Sequence, residues 1–190
     1  MFAPRTFAAL AATAAAVAAV AVTAGTGKAA PPPPSFAAHG GSDFAQLSSG
    51  IDQEQNGNVK AVQFEHVDGI HGLTATRDSV TVEHDGMYMI VVAPQVFTEE
   101  GGVQRGKDPT RGCADTWFNV NDQDVPNSSV RLCQAAAHST HVVVAQTVTP
   151  LKAGDVLRVK AKGDDVKFDA TQPSEGPLIP SVILSVARVS

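Results

Sequence analysis

The feature that most constrains the fold of this chain is an apolar run in its middle, Met87 to Val92, with the sequence MYMIVV. A strand with one face in water alternates apolar and polar residues, because successive side chains point to opposite faces. This run has no polar face, so it predicts either a buried helix or a strand covered by protein on both sides. Asp85 and Gly86 precede it, and an Asp-Gly pair is typical of a positive-φ turn that reverses the chain.

The segments after Asn58 show strand patterns, and no window has apolar residues spaced by three and four. Short apolar or alternating stretches are separated by Gly, Pro, Asn and Asp at regular spacing. The stretches are NVKAVQFEHV, DSVTVEH, ADTWFNV, PNSSVRL, THVVVAQTVTP, DVLRVKAKG and PSVILSVARV. They predict an all-β fold, a single jelly-roll β-sandwich of about ten strands over residues 51–190. The apolar run is then a strand, since an isolated helix would have no companions.

The first residues are typical of a secretion signal. Arg5 supplies a positive charge, residues 7–22 form an uninterrupted, weakly apolar run rich in alanine, and small residues follow. We predict a signal peptide over residues 1–29 and hence a secreted, extracellular protein. The favoured cleavage site is after Ala29, and the alternatives are Ala24 and Ala37. A retained membrane anchor is the other interpretation, but the run is shorter than the roughly 20 residues that a spanning helix needs.

Residues 30–50 have the composition of a flexible connection. The four prolines at 31–34 form a stiff extended spacer, and a stretch rich in Gly, Ser and Ala follows up to about Gly50. We predict a disordered tether between the signal peptide and the folded domain. A proline-rich ligand for another protein is the alternative interpretation of the four prolines.

The two cysteines predict one disulfide bond and a hairpin. Cys113 and Cys133 lie at equal distances from residue 123, and the turn-forming residues NDQD at 121–124 occupy that centre. Two antiparallel strands folded there place the cysteines opposite each other, and a secreted chain with two cysteines most often forms one bridge. The alternative, a free catalytic thiol, leaves the second cysteine without a role.

The acidic balance of the chain argues against a nucleic-acid partner. Loss of residues 1–29 removes Arg5 and Lys28 and no acidic residue, which leaves a net charge near −7 with neutral histidines. The chain has no basic cluster, so we expect no nucleic-acid binding. Charged residues make up 17% of the sequence, a low fraction that fits a surface partly hidden in an oligomer.

The histidines suggest a metal site that their spacing does not favour. His138 and His141 are three apart and face opposite ways on a strand. His66, His71 and His84 lie in or beside predicted turns. A cupin-like metal site needs three or four such side chains converging from different strands, so scattered surface histidines are the simpler interpretation.

The loop GDDVKFDATQPSEG concentrates four carboxylates, Asp164, Asp165, Asp169 and Glu175. Oxygen ligands suit calcium, although a solvated acidic loop is the simpler interpretation. We therefore predict no cofactor, with calcium at Asp164, Asp165 and Asp169 as the alternative. The sequence contains no Gly-x-Ser-x-Gly, no His-Glu-x-x-His and no phosphate-binding glycine loop, so we predict no enzymatic activity.

Several segments occur in an order that a known family shares. VTVEHDGMYMIVV has an apolar strand, an Asp-Gly turn and Gly-x-Tyr, with Gly86 and Tyr88 at the matching positions. WFNVNDQDV then supplies strand, turn and strand, and VVVAQTVTPLKAGDVLRVKA runs into a Gly-Asp turn at Gly154 and Asp155. Together with VQFEHVDG upstream, this order resembles the globular head of complement component one, subcomponent q, which shares a jelly roll with the tumour necrosis factor family.

The resemblance covers residues 58–190 and departs from the family in the last strand, where PSVILSVARV stands in place of the usual Phe-Ser-Gly-Phe-Leu. It implies a homotrimer, in which each sandwich packs against its neighbours around a threefold axis. An inner-sheet strand then meets the core on one face and a neighbouring subunit on the other. Tyr88 and Ile90 would point one way, and Met87, Met89 and Val91 would point the other way into the trimer interface.

Two classes of function follow from these expectations. We predict a secreted, non-catalytic, trimeric interaction module whose ligand is an extracellular protein or glycan. The alternative is a secreted metal-binding or hydrolytic jelly roll of the cupin kind, with its site in the mouth of the sandwich. Loops set the ligand and the fold does not, so the sequence leaves the ligand open.

Overall fold

The computed structural model describes residues 42–99 and 111–190. These residues form strands and no helix, which confirms the all-β class, and no helix among them is long and apolar enough to span a membrane. The predicted signal peptide and residues 30–41 of the predicted tether lie outside the described residues. The strands are β1 (Phe44–Ser49), β2 (Gln53–Glu54), β3 (Lys60–Ala61), β4 (His66–His71), β5 (Leu73–Ala75), β6 (Val80–Val82), β7 (Gly86–Thr98), β8 (Cys113–Val120), β9 (Gln123–Asp124), β10 (Val130–Cys133), β11 (Ser139–Val142), β12 (Ala145–Leu151), β13 (Val156–Asp164), β14 (Lys167–Phe168) and β15 (Val182–Arg188).

The strands form two antiparallel sheets of a jelly-roll sandwich. The eight-stranded sheet, called here the β7 sheet, has the order β2-β14-β7-β15-β1-β4, and β11 and β12 also pair with β7. The seven-stranded sheet, called the β8 sheet, has the order β10-β8-β13-β6-β5, with β3 beside β13 and β9 beside β8. Two-residue pieces such as β2, β3, β9 and β14 account for most of the excess over the ten or so strands that we predicted.

The hydrophobic core lies between the two sheets. Its largest fully buried side chains include Leu47, Tyr88, Ile90, Val92 and Leu184 from the β7 sheet and Val80, Val82, Phe118 and Leu157 from the β8 sheet. Each contributes roughly 1.5–3 kcal/mol of transfer free energy. Along β7, buried Tyr88, Ile90 and Val92 alternate with less buried residues, so the apolar run is a strand with one face in the core.

The structure corrects the end of the predicted tether. Residues 44–49 form β1, an interior strand that pairs with β15 on one side and with β4 on the other, and Leu47 and Ser49 are fully buried. Small Ala and Ser side chains are common in linkers, but they also fit a closely packed strand. Ser49 Oγ donates a hydrogen bond to Glu65 Oε2 at 2.7 Å. The ordered domain therefore begins before residue 51.

The Asp85-Gly86 pair is not the positive-φ reversal that the sequence predicted. Gly86 is the first residue of β7 and is not among the residues with positive φ. The strands before and after the pair, β6 and β7, belong to different sheets, so the chain crosses the sandwich here. Glycine is needed for space, since a Cβ at residue 86 would lie 2.5 Å from the Ser190 carbonyl oxygen and 2.5 Å from Arg188 Nε.

The predicted disulfide is confirmed. Cys113 and Cys133 are bonded, and β8 pairs with β10 in the register in which these two cysteines lie opposite each other. Equal spacing from residue 123 therefore predicted the pairing of the two strands correctly.

The turn of this hairpin lies slightly off the predicted centre. Asn121 and Asp122 have φ values of 49° and 63°, and positive φ at both central residues is what a two-residue type I′ turn requires. β9 then pairs back on β8 with Asn119 opposite Asp124. Residues 125–129 form an additional loop, which moves the chain into the register centred on residue 123.

Candidate functional site

The outer face of the β7 sheet carries the residues that we predicted at a subunit interface. Met87, Met89 and Val91 lie on the side of β7 that points away from the core, and Met89 is 43% exposed. An apolar stripe of this kind on a strand is what the sequence predicted. The structure places it on the surface of a single protomer.

β12 widens the stripe along one side of β7. Val148 lies opposite Met89 and is 57% exposed, and Pro150 lies opposite Met87. Residues directly opposite on antiparallel strands share a face of the sheet, so these side chains join the stripe. Strand β12 is an edge of this part of the sheet, and its apolar outer side chains were not predicted.

β15 and β1 widen the stripe on the other side of β7. Ala187 lies opposite Met89, and Phe44 on β1 lies opposite Ala187 with 38% of its surface exposed. The two polar residues of this part pair with each other, since Ser185 Oγ donates a hydrogen bond to Gln46 Oε1 at 2.6 Å. The stripe therefore continues over four neighbouring strands.

We call this surface the neutral outer face. It consists of Phe44, Gln46, Met87, Met89, Val91, Gln146, Val148, Pro150, Ser185 and Ala187. None of these side chains is ionisable, and the nearest ionisable neighbour on β4 is His71, whose ring stacks on Phe44 at the margin of the face with 6.4 Å between the ring centres. A partner can cover it without desolvating a charge, which is the expensive step in burying a polar surface.

The five histidines of the described residues are not brought together. They lie at the two ends of β4, in the loop before β7, and immediately before and within β11: His66 and His71, His84, and His138 and His141. His84 is paired with an acid, since its Nδ1 lies 3.1 Å from Asp43 Oδ2. Across residues 42–99 and 111–190, no group of three or more His, Cys, Asp or Glu side chains is arranged to hold a metal ion.

Two of the three carboxylates named in the calcium alternative are directed to different cationic partners. Asp165 Oδ2 lies 3.5 Å from Arg111 Nε, and Asp169 Oδ1 lies 2.9 Å from Lys167 Nζ. Asp164, at the end of β13, is exposed to solvent. Asp165 and Asp169 therefore neutralise neighbouring bases, and the three carboxylates are not arranged around one point.

Lys167 links this loop to the chain after β1. Its Nζ lies 2.6 Å from Asp52 Oδ2 and 5.0 Å from the centre of the Phe97 ring. The hydrogen bonds to Asp52 and Asp169 raise the pKa of Lys167 above its ordinary value. Asp169 of the acidic loop therefore has a structural role, because together with Asp52 it holds the ammonium group of Lys167 in place.

A buried carboxylate at one end of the sandwich was not predicted from the sequence. Asp43 is 2% exposed, and its Oδ2 accepts a hydrogen bond from Tyr88 Oη at 2.9 Å and lies 3.7 Å from Arg188 Nη1. Burial, followed by the hydrogen bond to Asp43, raises the pKa of Tyr88 to about 12. The available signal was Tyr88 itself, because a buried tyrosine hydroxyl needs a partner, but the sequence did not show which residue supplies it.

The two sheets, their strand order and the buried core define a jelly roll of the tumour necrosis factor type. No protein-family model matches the sequence, and no curated protein is similar to it. Among solved structures, murine APRIL is similar with a TM-score of 0.50 and 16% identity, covering 78% of this chain and 100% of APRIL. Eiger TNF from S. frugiperda is similar with a TM-score of 0.54 and 12% identity, covering 78% of this chain and 93% of that one. These likenesses confirm the predicted resemblance at the level of the fold.

Proposed function

We propose that this protein is a secreted, non-catalytic binding module that assembles as a homotrimer through the neutral outer face. The observation that carries the proposal is the uncharged, partly exposed surface that spans β12, β7, β15 and β1. Exposed apolar patches on soluble proteins usually mark an interface. The resemblance to the tumour necrosis factor family, supported by the fold, implies that this surface faces the threefold axis.

The energetics favour covering this face. Each apolar side chain that is buried between subunits contributes up to roughly 1.5–3 kcal/mol of transfer free energy before the cost of association is subtracted. Met89 and Val148 are neighbours in the middle of the face and are both more than a third exposed in the protomer. A trimer would bury both side chains without also burying a charged group of the face.

Secretion and a non-catalytic role complete the proposal. The Cys113–Cys133 disulfide supports an oxidising, extracellular location, because such bonds are rare in the cytosol. The sequence lacks a recognisable catalytic motif. The ligand would then be bound by surfaces that the assembly leaves open.

The test is the solution mass of residues 30–190 and of one charged variant. We expect the wild-type chain to sediment as a trimer at micromolar concentration. Met89→Asp should sediment as a monomer, a threefold drop in mass, because three buried aspartates would meet near the axis without partners. Val59→Asp is the matched control, since Val59 is 49% exposed and precedes β3 in the β8 sheet, and this variant should remain trimeric.

A second variant separates loss of assembly from loss of folding. Val148→Lys places a charge on the same face through an edge strand, and circular dichroism should show that both variants keep the β-sheet spectrum of the wild type. A wild-type chain that sediments as a monomer, or folded Met89→Asp and Val148→Lys chains that stay trimeric, would contradict the proposed assembly.

A further inference from the structure

The chain has a single tryptophan, and it lies on the outer side of the β8 sheet. Trp117 is partly exposed, whereas Thr116 and Phe118 on either side of it are fully buried in the core. An open depression of about 420 Å³ lies over it, lined by Asp115, Trp117, Asp124, Ser129, Val130 and Arg131.

The depression exists because a small residue faces the tryptophan. β8 and β10 pair with Val130 opposite Thr116, so Ser129 is next in the same register and lies beside Trp117. On the other side of Trp117, Lys160 of β13 is its cross-strand partner. A serine next to an indole leaves the flank of the ring uncovered.

The indole ring is held in one orientation. Trp117 Nε1 donates a hydrogen bond to Asp124 Oδ1 at 2.8 Å, and Asn119 Nδ2 donates to the same oxygen at 2.9 Å. The hydrogen bonds from Asn119 and Trp117 hold the pKa of Asp124 below its ordinary value, so this carboxylate is charged at neutral pH. The tight turn at residues 121–122 places Asp124 back across β8 for this contact.

A second fixed polar group stands on the other side of the ring. Arg131 Nε and Nη2 donate to the two oxygens of Asp115 at 2.6 and 2.7 Å, a bidentate pair that orients the guanidinium. Nη1 of Arg131 is left to donate to a ligand, and Oδ2 of Asp124 is left to accept from one. Charged groups of both signs surround the ring: Asp115 and Asp124 carry negative charge, and Arg131 with Arg158, Lys160 and Lys162 on β13 carry positive charge.

We propose that this depression is a saccharide-binding site. The C–H face of a sugar ring would pack on the indole of Trp117, its hydroxyl groups would donate to Asp124 Oδ2, and they would accept from Arg131 Nη1 and from Ser129. Hydroxyl groups donate to carboxylates and accept from cationic side chains, so a neutral ligand rich in hydroxyl groups fits a site with groups of both signs. Side chains that are already oriented lose little entropy on binding, and an amphipathic aromatic ring supplies the apolar contact.

This inference rests on the proposed function, because it names the ligand class of the binding module. The site lies on the β8 sheet and the neutral outer face on the β7 sheet, so the site stays open when the trimer forms. Variants of the neutral outer face should therefore change assembly without changing saccharide binding, and variants of the depression should do the opposite.

The experiment uses the fluorescence of Trp117 as the only tryptophan signal. Residues 30–190 are titrated with cellohexaose, maltohexaose and chitohexaose, and with tetramethylammonium chloride as a cationic probe. We expect a saturable change in emission with at least one oligosaccharide and none with tetramethylammonium. No saturable change with any of the three oligosaccharides, or saturation by tetramethylammonium alone, would overturn the proposal.

Two variants locate the site by calorimetry. Ser129→Leu should weaken binding at least tenfold because it fills the depression, and Asp124→Asn should weaken it because the charged acceptor is lost. Asp122→Asn is the matched control in the same hairpin turn, where the side chain is 84% exposed, and it should bind as the wild type does. Equal affinity in Ser129→Leu and the wild type would contradict the assignment.

The same titration with Met89→Asp separates this proposal from the assembly. We expect the affinity per chain to be unchanged within about twofold, whatever the solution mass of that variant. Trimers that bind no oligosaccharide would reject the saccharide site and leave the assembly standing. Monomeric wild-type chains that bind an oligosaccharide would reject the trimer and leave the saccharide site standing.

Discussion

At the scale of single residues, Tyr88 has the most specific environment in the described part of the chain. It is fully buried, and its hydroxyl lies 2.9 Å from Asp43 Oδ2 and 2.8 Å from the His84 carbonyl oxygen. Ionisation would place a second negative charge beside a buried carboxylate. The hydroxyl of Tyr88 can therefore hold Asp43, which precedes β1, and His84, in the loop before β7, together only while it is protonated.

Tyr88 is the only tyrosine, so the ultraviolet absorbance of tyrosinate reports its ionisation alone. Its pKa is raised from 10.0 to about 12 in the folded chain. Between these pH values the folded state keeps a proton that the unfolded state has lost, so the free energy of unfolding falls as pH rises from about 10 to about 12. The loss amounts to roughly 2–3 kcal/mol. Urea unfolding at pH 9 and pH 11.5 should show about 2 kcal/mol of this loss, and Tyr88→Phe should show a much smaller difference.

The control for this prediction is a pH titration followed by tyrosinate absorbance, carried out on the folded chain and on the chain unfolded in concentrated urea. In urea the pKa of Tyr88 should lie near its ordinary value. Ionisation of the folded chain near pH 10, with no shift from the unfolded one, would show that the Asp43 contact does not form in solution.

At the scale of elements, the hairpin of β8 and β10 has the strand register that the sequence predicted, but its turn lies away from the predicted centre. The disulfide closes the open end of the hairpin, and the type I′ turn at Asn121 and Asp122 closes the other. Between them, Ser128 Oγ donates to the Val125 carbonyl oxygen and accepts from the Phe118 amide. The extra loop is therefore closed on itself and anchored to β8 at Phe118, and the Trp117 depression depends on its register.

Replacing both Cys113 and Cys133 with serine should lower the free energy of unfolding by about 3 kcal/mol. The bond closes a loop with a sequence separation of 20, and a cross-link of that length restricts the unfolded chain by about this amount. Urea unfolding of the double variant and of the reduced wild type should agree. A double variant as stable as the oxidised wild type would show that the bond adds nothing beyond the paired strands.

At the scale of the whole molecule, β1 determines where the folded domain begins. It lies between β15 and β4, it contributes Leu47 to the core, and it contributes Phe44 and Gln46 to the neutral outer face. A chain that lacks it would lose an interior strand of the β7 sheet and part of the proposed interface.

We therefore expect a chain of residues 42–190 to fold and assemble as residues 30–190 do, and a chain of residues 51–190 to lose cooperative unfolding. Thermal unfolding followed by circular dichroism, together with sedimentation, measures both. Residues 51–190 that unfold with the same Tm as the longer chains would restore the domain boundary that composition alone predicted.

The sequence predicted the features that depend on local periodicity. Alternation along β6 and turn residues at regular spacing were enough for the all-β class, and the equal distances of Cys113 and Cys133 from residue 123 were enough for the pairing of β8 with β10. The run in β7 has no alternation of its own, and its core face followed from the family resemblance. Neighbours along the chain decide side-chain direction in a strand, so a local pattern carries this information. The resemblance to the tumour necrosis factor family rested on the order of the same segments.

The remaining features depend on segments that are far apart in the chain. Asp43 meets Tyr88 and Arg188, Gly86 is restricted by the C-terminal Ser190, and the residues of β1 pair with β4 and β15. Nothing local distinguishes a small-residue strand from a linker, or shows that an acid will be buried beside a tyrosine. The packing of the sandwich decides these contacts, because only the folded chain brings the two sheets and both ends of the domain within hydrogen-bonding distance.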